Sequence, residues 1–260
     1  MAALIYAHRG GAALAPENTI AAFDNGMALG ADGLEFDVRL SSDGIPVVHH
    51  DPTLDRTTSG RGPLGALTAD ELAGLDAGHR FVDASGAFPF RGHGIGVPRL
   101  DDVVQRYPDA PLIIEMKDDT DAIAEAVLDV LRRAGAIERA ILASFYTRPV
   151  HAVRRLCPDA RTGASSPEVR RALYGAWAGL SPRRPPYVGF QIPEKSGALR
   201  IVSPRFVRAV KKSGLSVAVW TVNEEADMRR LLQWGVDGLI TDRPDVAVPL
   251  VRTEASAPRR

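Results

Sequence analysis

Short apolar runs alternate with longer amphipathic stretches along most of the 260-residue chain. Runs rich in β-branched residues and bounded by Gly, Pro or acid read as buried strands. They are LIYAH (4–8), GLEFDV (33–38), PLIIEMK (111–117), AILASF (140–145), ARTGAS (160–165), YVGFQI (187–192), LSVAVWTV (215–222) and DGLITD (237–242). Between them lie helical patterns: ENTIAAFDNGMALG, RLDDVVQRY, DTDAIAEAVLDVLRRAG, RPVHAVRRL, PEVRRALYGAWA, PRFVRAVKKSG and EEADMRRLLQWG. In AIAEAVLDVLRRA, Ile123, Val127, Leu128 and Leu131 fall on one face. Gly30, Gly135, Gly214 and Gly235 stand where a left-handed C-cap is expected.

Eight strands separated by helices predict a parallel (β/α)8 TIM barrel, a single domain over residues 1–250 with a flexible tail at 251–260. An open doubly wound sheet is the structural alternative. It usually places a glycine-rich phosphate loop after the first strand, and HRGGAALAPENT is not GxGxxG.

One segment breaks the rhythm. About 70 residues separate the second strand from LIIEMK, far beyond the usual βα connection. After the SSDG turn, IPVVHH is a ninth strand-like run, expected to fold back antiparallel on the second strand. A glycine-rich loop and a short helix follow. TADE predicts a capping box with Thr68 as N-cap and Glu71 at N3. Residues 52–98 thus read as a small insertion, too small for a core of its own.

The polar exceptions within the strands carry the candidate chemistry. Residues two apart in a strand share a face, so Glu35 and Asp37 point the same way. Paired carboxylates repel unless a cation or donors join them. Glu115 and Lys117 repeat the spacing at the end of the third barrel strand. Barrel strand ends converge on the C-terminal mouth, so Glu35, Asp37 and Glu115 could face one point there. Hard oxygen ligands favour Mg²⁺ or Ca²⁺. The bland alternatives are solvated strand charges and a plain Glu115–Lys117 ion pair.

His8 and Arg9 close the first strand, and Arg9 and Lys117 are natural phosphate binders. Only one of His49 and His50 can face the site from a regular strand, and period does not say which. Trp220 suits either a substrate wall or barrel packing. Asp242 reads as a cap of the loop before Pro244, and PENT (16–19) as a helix start with Glu17 or Asn18 near the positive end of the dipole.

Composition adds limits. The chain is 45% hydrophobic and 25% charged, with 32 basic and 32 acidic residues. Zero net charge gives no reason to expect nucleic acid or an anionic membrane as partner, and leaves a local basic patch open. The one cysteine, Cys157, excludes an intrachain disulfide and a cysteine-based zinc site. Arg9 cuts the opening apolar run too short for a signal or a membrane span, so no stable membrane insertion and a cytoplasmic protein are expected.

The motifs AHRGGAALAPENTIAAF, GADGLEFDVRLSSDGIPVVHHDPTLDRTTSGRG, IIEMK, AVWTVN and GLITDRPD occur in this order over residues 4–247. Together they resemble the glycerophosphodiester phosphodiesterases, a (β/α)8 family with a small insertion after an HD motif. The resemblance implies metal-dependent hydrolysis of a small-molecule glycerophosphodiester to glycerol 3-phosphate and an alcohol. It implies that His8 and the HD histidine, here His50, are an acid–base pair. It also implies that Glu35, Asp37 and Glu115 hold one divalent ion and that Arg9 and Lys117 contact phosphate. SFY (144–146) departs from the family's frequent SFD. Alternatives are a lysophospholipase D or sphingomyelinase D-like phosphodiesterase, a metal-dependent isomerase or aldolase, and a non-catalytic binding barrel. The isomerase leaves His8, His50 and Arg9 without clear tasks.

Overall fold

The computed structural model describes residues 3–256. In chain order its elements are β1 (Leu4–His8), α1 (Ile20–Ala28), β2 (Gly33–Leu40), β3 (Pro46–Val48), α2 (Ala69–Ala73), α3 (Leu100–Arg106), β4 (Leu112–Met116), α4 (Asp121–Arg133), β5 (Ala140–Ala143), α5 (Thr147–Leu156), β6 (Arg161–Thr162), α6 (Ser166–Trp177), β7 (Gly189–Pro193), the small hairpin β8 (Lys195–Ser196) and β9 (Leu199–Arg200), α7 (Pro204–Lys211), β10 (Ser216–Trp220), α8 (Glu225–Gln233), β11 (Gly238–Thr241) and α9 (Pro244–Ser256). Eight strands run parallel in the order β6-β5-β4-β2-β1-β11-β10-β7. A Gly163–Gly189 bridge joins the two ends into a ring. This is the (β/α)8 barrel that the alternation predicts.

Strand period sorts the side chains. Tyr6, Ile113, Ile141, Ala218 and Ile240 pack together as one buried cluster. Each stands two residues before a mouth position at the end of its strand or, for Asp242, just past it: His8, Glu115, Ala143, Trp220 and Asp242. The opposite strand faces meet the helices in two larger apolar clusters. One holds Phe23, Phe36, Ile114, Leu128 and Val153, and the other Phe190, Phe206, Val219, Leu231 and Leu250. Buried acids therefore occur where the barrel's apolar filling ends.

β3 pairs antiparallel with β2 in the register Val38–Val48, Arg39–Val47 and Leu40–Pro46. It is shorter than the expected IPVVHH. Thr68 and Glu71 form the expected capping box on α2. The insertion is not coreless: Leu54, Leu64, Leu72 and Val97 cluster on Val47 of β3. It is a satellite built on the hairpin.

The C-terminal end differs in part from the expected tail. The segment expected as a tail from residue 251 is helical as far as Ser256, where α9 ends. Its driving force is apolar burial, with Ala247, Leu250 and Val251 in the core. Residues 257–260 of the expected tail lie outside the described residues. No described helix is long and apolar enough to cross a membrane.

Candidate active site

The mouth begins with the turn after β1. Arg9 adopts a left-handed backbone (φ 52°) and Gly10 follows at φ 89°. A Cβ on Gly10 would lie 2.6 Å from the Ala22 backbone, so only glycine lets α1 close on this turn. The Arg9 amide donates to the Glu35 carbonyl at 2.7 Å, which fixes the turn over β2.

Glu35, Asp37 and Glu115 each offer an oxygen within 4.8 Å of the others. Asp37 is almost sealed from water, and charge surrounds it. Lys117 Nζ lies 3.1 Å from Asp37 Oδ1 and 2.8 Å from Glu115 Oε1, while Arg9 Nε lies 3.0 Å from Asp37 Oδ2. Asn18 Nδ2 donates to the same Asp37 oxygen at 2.9 Å. Burial raises the Asp37 pKa, but Lys117, Arg9, His50 and Asn18 outweigh it and hold the carboxyl below its ordinary value.

Glu35 differs. Burial, which outweighs His8, pushes its pKa up to about 7, helped by the negative charge of Asp37 and Glu115. Its Oε2 is buried without a hydrogen-bond partner. Burial also raises the Glu115 pKa, against the pull of Lys117. Its Oε1 has only the Lys117 charge contact and no aligned hydrogen bond. Three hard oxygen donors, two of them poorly satisfied, suit a divalent cation of the Mg²⁺ or Ca²⁺ kind.

Two histidines stand beside this cluster, each backed by a carboxylate. His8 Nδ1 and Asp242 Oδ1 are 2.6 Å apart, and His8 Nε2 lies 3.8 Å from Glu35 Oε2. Burial opposes protonation of His8, but Glu35 and Asp242 outweigh it and raise the imidazole pKa. Asn223 clamps Asp242 twice: its Nδ2 donates to Oδ2 at 2.8 Å, and its Oδ1 accepts from the Asp242 amide at 2.9 Å. Asp242 is thus more than a loop cap.

The second histidine is His50. Its Nδ1 contacts Asp51 Oδ1 at 2.7 Å, and burial lowers its pKa despite the field of Asp37. His49 continues the β3 ladder instead, its amide donating to the Asp37 carbonyl at 3.0 Å. The His49 ring is buried in the insertion, with Nε2 3.2 Å from the Thr53 carbonyl. The end of β3 thus turns His49 into the insertion and leaves His50 in the field of Asp37, Arg9 and Lys117.

Sequence patterns did not single out Arg56. Its Nε donates to Asp51 Oδ2 at 2.5 Å, and its two terminal nitrogens reach Glu17 at 2.6 and 2.7 Å. Glu17 in turn accepts from Arg9 Nη1 at 2.8 Å. One insertion arginine thus braces the partner of His50 and the partner of Arg9. PENT is more than a helix start: Thr19 is the N-cap, Asn18 reaches Asp37 and Glu17 holds the two arginines.

On the far side a cavity of about 350 Å³ runs from Glu35 and Glu115 to an apolar wall of Leu173, Ile192, Leu199, Ile201 and Trp220. Trp220 meets Phe145 edge-on at 5.7 Å, and Lys117 Nζ sits 5.5 Å from the Phe145 ring. In SFY, Ser144 Oγ donates to the Met116 carbonyl at 2.7 Å, while Tyr146 occupies the N-cap of α5 without a capping bond.

Comparisons with known proteins point to one family. The profile of the glycerophosphoryl diester phosphodiesterase family matches residues 8–246. A glycerophosphodiester phosphodiesterase of Caldanaerobacter subterraneus subsp. tengcongensis is 34% identical over 257 residues, 97% of this chain and 99% of that protein. The glycerophosphoryl diester phosphodiesterase domain of an uncharacterized Mycobacterium tuberculosis protein superposes with a TM-score of 0.84 at 26% identity, over 95% of this chain and 98% of that one. A glycerophosphodiester phosphodiesterase of Agrobacterium tumefaciens gives 0.77 at 31% identity, over 95% and 99%.

Proposed function

This chain belongs to the glycerophosphoryl diester phosphodiesterase family, a family of phosphoric diester hydrolases, and from that premise we propose how its mouth cleaves a glycerophosphodiester to glycerol 3-phosphate and an alcohol. Glu35, Asp37 and Glu115 would hold one divalent cation, Mg²⁺ or Ca²⁺. That cation supplies Lewis-acid neutralisation of the anionic phosphodiester. The observation that carries the reading is the convergence of three carboxylates, two cations and two carboxylate-backed histidines on one barrel mouth.

Arg9 and Lys117 stabilise the charge that builds on phosphorus oxygens as the nucleophile attacks. Both are already held at Asp37, so they lose little freedom on binding phosphate. His50 takes a proton from the attacking water, or from the glycerol 2-hydroxyl with water then opening the cyclic phosphate, and His8 delivers a proton to the departing alkoxide. The hydrogen-bond partners support that order. Among the described residues Asp242 pairs with His8 and Asn223 and forms no ion pair with an arginine, so its charge favours an imidazolium at His8. Asp51 already faces Arg56, which leaves His50 the more readily neutral. Asp242 and Asp51 fix ring orientation, as the acid of a catalytic triad does. Trp220 would wall the leaving-group side.

We place the reaction in the cytoplasm, a reducing compartment that suits a chain whose single cysteine, Cys157, is free. Released glycerol 3-phosphate is the readout, measured across a panel of glycerophosphodiesters together with lysophosphatidylcholine. The reading predicts release from the glycerol diesters. Turnover of lysophosphatidylcholine alone would move the substrate class to acyl lipids, whose chain would need the apolar wall of the cavity.

A further inference from the structure

The zero net charge hides a strong segregation. Between Val169 and Asn223 the chain carries ten Lys and Arg and a single acid, Glu194. Glu194 is consumed locally by Arg200 and Arg230. Six exposed cations of this stretch, Arg171, Arg183, Arg184, Arg205, Arg208 and Lys212, have no acidic partner among the described residues. Elsewhere many exposed arginines are paired, among them Arg106, Arg133, Arg148, Arg155 and Arg229. An unneutralised patch on an otherwise balanced surface is a field, not a solvated average.

The fold gathers these cations. α6 and α7 pack side by side through Ala172, Leu173 and Ala176 against Phe206, Val207 and Val210. The loop between α6 and β7 is tied to the end of α7, where Ser213 Oγ donates to the Pro182 carbonyl at 2.6 Å. Arg171, Arg183, Arg184 and Lys212 line one open concavity of about 940 Å³, whose one acid, Glu168, is held by Arg154. Arg205 approaches the end of α6 at Gly179.

Beside the cations lies unusual apolar exposure. Tyr174, Trp177 and Leu180 are 56%, 49% and 60% exposed, and the Tyr174 and Trp177 rings meet at 5.5 Å. Tyr174 and Trp177 stand three residues apart, on one face of α6. Leu180 follows just past its end, where a Cβ on Gly175 would approach it at 3.8 Å. Core packing does not explain them.

We propose that the outer face of α6 and α7, with the loop between α6 and β7, docks this protein peripherally on an anionic lipid surface. Arginine and lysine attract the headgroup charge. Tyr and Trp suit the headgroup level, where one end of the ring is apolar and the other wet. Leu180 decides between lipid and nucleic acid, because an aliphatic side chain gains from the acyl boundary and nothing from a phosphate backbone. The docking is superficial, in keeping with the lack of a described membrane-spanning helix.

Sedimentation of the full chain with vesicles tests this. Vesicles of phosphatidylglycerol mixed with phosphatidylcholine should retain the protein, and phosphatidylcholine alone should not. Added salt should weaken retention, since exposed charges are screened. Arg183→Glu together with Arg184→Glu should weaken it about tenfold or more. Trp177→Ser together with Leu180→Ser should weaken it several-fold and leave less salt-resistant binding. Both variants should keep the wild-type thermal midpoint and the turnover of a soluble diester, which separates lost docking from lost folding or catalysis. The proposal is overturned if anionic vesicles fail to retain the wild type, if the charge-reversed variant is retained equally, or if single-stranded RNA displaces the protein from the vesicles.

Discussion

His49 and His50 are neighbours in the chain and opposites in environment. His50 faces the charged mouth, and His49 is a buried prop of the insertion. His50→Ala should lower kcat by about 10³-fold, the scale of a lost acid–base group. His49→Ala should leave kcat nearly intact but cost about 1–3 kcal/mol of stability through its cavity and the Thr53 carbonyl it abandons. Steady-state rates and a urea melt on the same pair separate the two effects. Arg56→Gln should lose roughly ten- to a hundredfold in kcat by loosening Asp51 and Glu17 together, and Arg56→Lys should recover only part because it cannot fork between both. The acids, Arg9 and Lys117 were legible because strand period exposes a polar residue in an apolar run. Asp242 was visible but underrated, since its partner His8 is 234 positions away. Arg56 was not legible, because nothing in a glycine-rich loop announces a bridge back to Glu17.

At the scale of elements, all eight barrel strands were legible from apolar runs and turn residues. The missing part was α9, where Pro244 and Pro249 disguise a helix held by Ala247, Leu250 and Val251. β6 shrinks to two residues because ARTGAS has little apolar content to bury. The SFY departure also belongs here. Tyr146 stands at the N-cap of α5 and accepts no hydrogen bond from the helix. Tyr146→Asp should cap α5 and add about 1 kcal/mol, raising the thermal midpoint by roughly 2–4 °C in a domain of this size. No change in the midpoint would mean that the exposed tyrosine does other work at that position.

For the whole molecule, the cost of an anionic site in a closed barrel becomes a pH dependence. The Glu35 pKa sits at about 7 in the metal-free fold, above its ordinary 4.5. A carboxyl raised on folding binds more protons in the folded state, so stability falls as pH rises across that window. The loss is on the order of 3 kcal/mol, complete above about pH 7. Metal-free wild type should therefore lose thermal stability from about pH 4.5 to 7 more steeply than Glu35→Gln, and added Mg²⁺ or Ca²⁺ should raise the wild-type midpoint above neutral pH. Equal slopes for the two proteins would show that Glu35 is not the strained acid. Such coupling was out of reach of the sequence, which shows the carboxylates but not how completely the barrel excludes water from them. The central claim is that these carboxylates hold a cation that phosphodiester cleavage requires. It is tested most directly by glycerol 3-phosphate release from glycerophosphocholine with and without chelator. The account predicts no release after chelation and full recovery with Mg²⁺ or Ca²⁺; undiminished release in chelator, or phosphocholine as the product, would contradict it.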